Sequence, residues 1–141
     1  MTVKEYLLQI KNADNVIKQM VKDRDKMASD IVWIHGIDYA KDRVQTSAEQ
    51  TGGALKSIER LYDLERKLDK MIDRYVDLKS LIIDQIDGMD TAKFRDILYM
   101  RYINFMSLEE IACEMHYSYY RTAHYHGDAL QEFDRLYKIS K

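Results

Sequence analysis

The chain of 141 residues contains no proline. Proline removes a backbone donor and clashes with the preceding turn, so nothing of that kind limits helix length here. Cysteine is nearly absent too. Cys113 alone excludes an internal disulfide and any metal site built on several thiolates, and its place in a predicted helix suggests a reduced, partly packed thiol. Four of the five glycines, at 36, 52, 53 and 88, fall where helical patterning breaks. Apolar residues never run for the ~20 positions that a membrane span needs. The first residues lack the charged-then-apolar pattern of a secretory leader, so a cytoplasmic protein of the host cell with no membrane partner is expected. A dominant charge is also missing. Lys and Arg number 22 against 24 Asp and Glu, so no general basic field draws the chain onto nucleic acid.

Catalytic patterns are absent as well. His124 and His126 are two residues apart and leave a helix on different sides. His35 and His116 have no Cys or His partner at ligand spacing, so no metal site is expected. Gly52-Gly53 lacks the GxxxxGK frame of a phosphate loop. The reading is a protein that is not an enzyme and holds no cofactor. Run Tyr117 to His126 is rich in Tyr and His, and is read as a helix burying Thr122 and Tyr125 while its other side is wet.

What is present is helical periodicity, and the expected fold is all-α. Thr2 opens a capping box, T-V-K-E, with Glu5 at its third helical position. Val3, Tyr6, Ile10, Ala13, Ile17, Met20, Met27, Ile31 and Ile34 then recur at spacings of three and four, interrupted by Arg24. Such a sustained heptad indicates a coiled-coil seam, on a helix of ~50 Å at 1.5 Å per residue. His35-Gly36 is expected to end it. Residues Ile37 to Gly53 are rich in Ser, Thr and Gly and read as a crossover loop, with Asp42 and Arg43 able to dock on the helices or bind a partner.

A second long helix is predicted from Ala54 to Asp87, stopped by Gly88. Leu61, Leu64, Leu68, Met71, Tyr75, Leu78 and Ile82 form one seam. Ile58, Tyr62, Ile72, Val76, Ile83 and Ile86 form a second row beside it. A stripe this wide needs more than one neighbour. The economical arrangement is an antiparallel helical hairpin over 1–88, with a loop over 35–53, whose second row meets another copy in a homodimer.

Residues 89–141 read as a separate head of three short helices. The first spans Phe94 to Ile103, with Asp90 or Thr91 as its cap, and stalls at Asn104. Ser107 opens the box S-L-E-E with Glu110, and Leu108, Ile111, Ala112 and Met115 share one face. Tyr117 and Ser118 break that helix, and Ser118 caps a third that begins at Tyr119. Thr122, Tyr125, Ala129, Leu130 and Phe133 face inward; Tyr119, Tyr120, Arg121, Ala123 and His124 face out, where a recognition helix offers base edges its side chains.

The segment LYMRYINFMSLEEIACEMHYS resembles the −35-reading module of bacterial sigma factors, region four, a helix-turn-helix. Tyr117, Ser118, His126, Gly127, Ala129 and Leu130 are similar to small phage proteins of Gram-positive bacteria: late-gene transcription regulators of the ArpU/RinA type and a related phage family of unknown function. Asp38 to Ser47 also looks like that second family. The resemblance implies that Ser118, Tyr119, Tyr120, Arg121, Ala123 and His124 contact double-stranded DNA. It implies a transcription regulator working with host RNA polymerase or its sigma subunit, and the apolar row of the hairpin would make it a dimer. His116 departs from the pattern, which has glycine at the turn, and the reading helix is aromatic where the family's is arginine-rich. Two alternatives stand beside this reading: a protein-interaction adaptor or antirepressor without DNA binding, and a DNA-packaging component like a small terminase subunit.

Overall fold

The computed structural model describes residues 1–41 and 48–141, with side chains for all of these except 33–41, 48–52 and 54. Every element among the described residues is helical: α1 Val3–Lys41, α2 Ala48–Asp87, α3 Ala92–Leu98 continuing as a π-turn over Tyr99–Ile103, α4 Leu108–Met115 and α5 Tyr119–Tyr137. No helix among them is long and apolar enough to cross a membrane.

Both long helices run further than their sequence suggests. α1 passes through His35 and Gly36 to Lys41, and α2 begins at Ala48, so Gly52 and Gly53 are helical. Glycine stops a helix when it takes a left-handed conformation, and no described glycine has positive φ. Within a helix it costs only ~1 kcal/mol relative to alanine, a small cost in an element this long. The expected loop over 37–53 is therefore helical at both its ends. Asp42 and Arg43 lie outside the described residues.

The chain divides into two compact units, one of Met1–Asp14 with Arg74–Lys141, the other of Asn15–Asp73. The boundary drawn at Gly88 from the sequence thus moves inward along both long helices. Val3, Leu7 and Ile10 of α1 and Ile82, Ile86 and Met89 join Leu98, Tyr102, Ile103, Ala129 and Phe133 in one core. Capping is complete at the start of α1: the Thr2 N–H donates to Glu5 Oε2 at 2.7 Å, and the Glu5 N–H donates to Thr2 Oγ1 at 3.2 Å. These hydrogen bonds hold the Glu5 carboxyl below its usual pKa. The Tyr6 hydroxyl donates to Gln85 Oε1 at 2.8 Å, so the start of α1 lies beside the end of α2.

In the second unit the core is thin. Leu68 is its one buried hydrophobic among the described residues, flanked by half-buried Ile17, Met20, Met27, Leu61, Leu64 and Met71. Two helices can bury one seam and no more. Tyr62 and Ile72 accordingly remain exposed.

Inside the first unit α3 changes pitch. The Asn104 N–H donates to the Tyr99 carbonyl and the Met106 N–H to the Met100 carbonyl, widening the last turn before the chain reverses. Phe105 then adopts φ 58°, a left-handed conformation that costs an L-residue roughly 1–2 kcal/mol. Packing of its ring against the core opposes that strain, and Arg101 Nη1 ties the turn by donating to the Met106 carbonyl at 2.9 Å. Thr91 occupies the N-cap of α3 without capping it; its hydroxyl donates to Glu132 Oε1 at 3.0 Å instead.

Candidate nucleic-acid interface

The exposed start of α5 is built by two caps and one strained turn. Ser107 Oγ accepts the Glu110 N–H at 3.2 Å and fixes where α4 begins. α4 ends in a Schellman turn: the Tyr117 N–H donates to the Ala112 carbonyl at 3.0 Å and the His116 N–H to the Cys113 carbonyl at 3.4 Å. His116 holds the left-handed position, φ 60° and ψ 38°. Glycine usually takes this place because its missing Cβ avoids the clash. Ser118 follows, its Oγ accepting the Arg121 N–H at 3.1 Å. Thr122 is wholly buried, with its hydroxyl donating to the Ser118 carbonyl at 3.0 Å. Thr122, Ala129 and Phe133 are all buried along one face of α5, which leaves the opposite side chains facing out.

Tyr119 and Tyr120 are 53% and 84% exposed, and Ser118, Arg121 and His124 are exposed beside them. Ala123 is only half-buried and offers less surface than its sequence position suggested. His124 Nε2 lies 3.4 Å from Asp128 Oδ2 on its own helix, so it already faces an acid. Arg121 has no carboxylate at ion-pair distance among the described residues; its guanidinium carbon lies 6.0 Å from the centroid of the Tyr117 ring. Glu109, Glu110 and Glu114 are exposed on α4.

An aromatic group that the sequence did not reveal lies behind this surface. Tyr117 and Tyr125 meet edge to face with centroids 5.5 Å apart, and Phe94 stands 6.3 Å from Tyr125. Lys93 Nζ sits 4.0 Å above the Tyr125 ring. The Tyr-rich run hinted at the two tyrosines. Nothing in the sequence hinted at Lys93, which reaches them from another helix.

His126 points to the other side. Its Nε2 shares a hydrogen bond with the Tyr102 hydroxyl at 2.9 Å, and the rings stack at 5.8 Å. Burial, with help from Arg101 and Lys4, lowers the His126 pKa to about 4, and burial pushes Tyr102 up to about 12. Both groups are neutral near pH 7. No group of His, Cys, Asp and Glu among the described residues is placed to hold a metal ion. Cys113 is free and exposed on α4, rather than partly packed.

The row expected to meet a second copy is divided. Ile86 is 1% exposed and belongs to the chain's own core, and Ile83 packs against that core. Ile58 is half-buried. Tyr62, Ile72 and Val76 remain open at 57%, 37% and 55%.

The chain matches no model of a protein family, no curated protein and no solved structure.

Proposed function

We propose that the protein is a DNA-binding transcription regulator of phage type. In this reading α4, its turn and α5 form a helix-turn-helix like sigma region four, carried on an antiparallel hairpin of the two long helices. α5 enters the major groove, with Arg121 reading a guanine edge and Tyr119 and Tyr120 contacting phosphate or a thymine methyl. The observation that carries the reading is the Ser118-capped start of α5, where exposed Tyr119 and Tyr120 precede an Arg121 with no carboxylate at ion-pair distance among the described residues.

The protein acts as a homodimer through Tyr62, Ile72 and Val76, working with host RNA polymerase or its sigma subunit. Two heads on one dimer double the contacts and offset the weak charge of each. The deciding experiment is selection of bound fragments from the parent genome, read by sequencing. Enrichment at discrete sites supports the reading, and no enrichment anywhere overturns it.

A second reading has an observation of its own. Exposed Glu109, Glu110 and Glu114 on α4 would repel a phosphate backbone, and an 84% exposed Tyr120 suits a protein interface. On that reading the same surface binds polymerase or a repressor without DNA. Retention on duplex DNA at low salt separates the two.

A further inference from the structure

Lys93 and Arg121 are cations from different helices, and each lies over a tyrosine ring. Lys93 Nζ stands 4.0 Å above Tyr125 and 5.6 Å above Phe94. The Arg121 guanidinium stands 6.0 Å above Tyr117, and the two tyrosine rings touch edge to face. The four side chains thus form one connected group, drawn from α3, the turn after α4, and α5.

Elsewhere on α5, Arg135 lies 3.5 Å from Asp90, and the His124 ring lies 3.4 Å from Asp128. Lys93 and Arg121 have no carboxylate at ion-pair distance among the described residues. A ring face holds a cation in place without cancelling its charge, since its attraction comes from a quadrupole. A lysine so held has already lost much of the rotamer freedom that binding would otherwise cost. Lys93 is half-buried, so part of its surface stays open to solvent.

We propose that Lys93 is a second DNA contact, gripping a backbone phosphate beside the base pair that Arg121 reads, with Tyr117 and Tyr125 as the platform that sets the two cations in register. The proposal rests on the DNA-binding reading and adds to it a residue from outside the reading helix. A phosphate contact fixes the register of the head on the duplex and carries no sequence information.

Titration of wild type, Lys93→Gln, Lys93→Arg and Tyr125→Leu against a selected genomic fragment at several salt concentrations tests it, with thermal melts run alongside. The wild type is expected to show a slope of log affinity on log salt of about −3 to −5, at ~0.9 per phosphate neutralised. Lys93→Gln should make the slope shallower by ~0.9 for each head engaged, and weaken binding roughly eightfold per head near 0.1 M salt. Its base preference should be unchanged, its melting temperature should fall only by what one cation–π contact is worth, and Lys93→Arg should restore the slope. Tyr125→Leu should weaken binding while leaving the slope near that of wild type. If wild type binds but Lys93→Gln keeps its slope and affinity, the phosphate contact is overturned and the DNA reading stands. If Lys93→Gln loses affinity only in step with its melting temperature, the residue is structural and the proposal fails. If wild type is retained on no fragment, the DNA reading fails and this contact with it.

Discussion

The hydroxyl of Tyr137 donates to the backbone carbonyl of Gln85 at 2.6 Å. This bond ties the last turn of α5 to the last turn of α2, and it crosses directly over Gly88. A Cβ on Gly88 would meet the Tyr137 hydroxyl oxygen at 2.6 Å, closer than such atoms approach. Alanine at 88 would therefore force the Tyr137 side chain to shift and strain this bond; the φ of Gly88 is not positive. Burial, and then Asp90, raise the Tyr137 pKa, so the hydroxyl keeps its proton and remains a donor.

Gly88→Ala should cost about 1–3 kcal/mol by overpacking. Tyr137→Phe should cost about 1 kcal/mol, the net worth of one hydrogen bond. The double variant should be more stable than the sum of the two losses implies, since removing the hydroxyl removes the clash. Urea unfolding of the four proteins measures this, and strict additivity would rule out the clash as the cause.

His126 should make stability depend on pH. Its pKa is about 4 in the folded chain against 6.5 for a free imidazole. Between those values the unfolded chain binds more protons, so stability rises with pH across that window. It is lost as pH falls from 6.5 toward 4. Melting temperatures from pH 4.5 to 7.5 should fall more steeply on the acid side for wild type than for His126→Gln. Equal slopes would mean that carboxylates alone set the acid limb.

His116→Gly should stabilise the protein. The left-handed conformation costs histidine roughly 1 kcal/mol and glycine almost nothing. A rise of roughly 2–5 °C in melting temperature is expected, with the Schellman hydrogen bonds retained. A fall would show that the exposed imidazole makes a stabilising contact of its own.

Arg121→Ala should cost ~1–3 kcal/mol of specific binding and relax preference at one base pair. Its melting temperature should hardly change, because no acid of the head pairs with Arg121. Tyr120→Phe should weaken binding less and more evenly across sequences. Unchanged operator affinity for Arg121→Ala would remove it from the reading surface.

Replacing both Ile72 and Val76 with glutamate should convert a micromolar dimer into monomers by light scattering. Both side chains are open in the single chain, so these changes leave its own core intact. Ile86 is unsuited to this test, because it is buried and a charge there would unfold the first unit. A monodisperse wild-type monomer would refute the dimer.

Local signals were legible wherever a short stretch of chain carries its own physics. Capping at Thr2, Ser107 and Ser118 depends on a side chain and a backbone N–H three residues apart; both halves of the box form at Thr2, and the hydroxyl half forms at Ser107 and Ser118. Helical spacing marked which faces are apolar: of the inward positions of α5, Thr122, Ala129 and Phe133 are fully buried and Tyr125 and Leu130 half-buried. Glycine was less informative. Gly88 follows the last turn of α2 as expected, but Gly36, Gly52 and Gly53 sit inside helices because propensity is a small cost spread over a long element.

Tertiary structure alone decided how the apolar rows were shared out. Ile72 and Ile86 lie on the same row of α2 and look alike in sequence, yet one is 37% exposed and the other 1%. What separates them is α5: Ala129 and Phe133 share the core with Ile86, and no pattern within α2 announces that neighbour. The same holds at the candidate site. Sequence determined that Ser118 starts a helix and that Arg121 lies in its first turn. Lys93 stands over Tyr125 from α3 because burial of Ile97, Ala129 and Phe133 packs distant helices together, and hydrophobic packing carries no signal at the positions it happens to bring near.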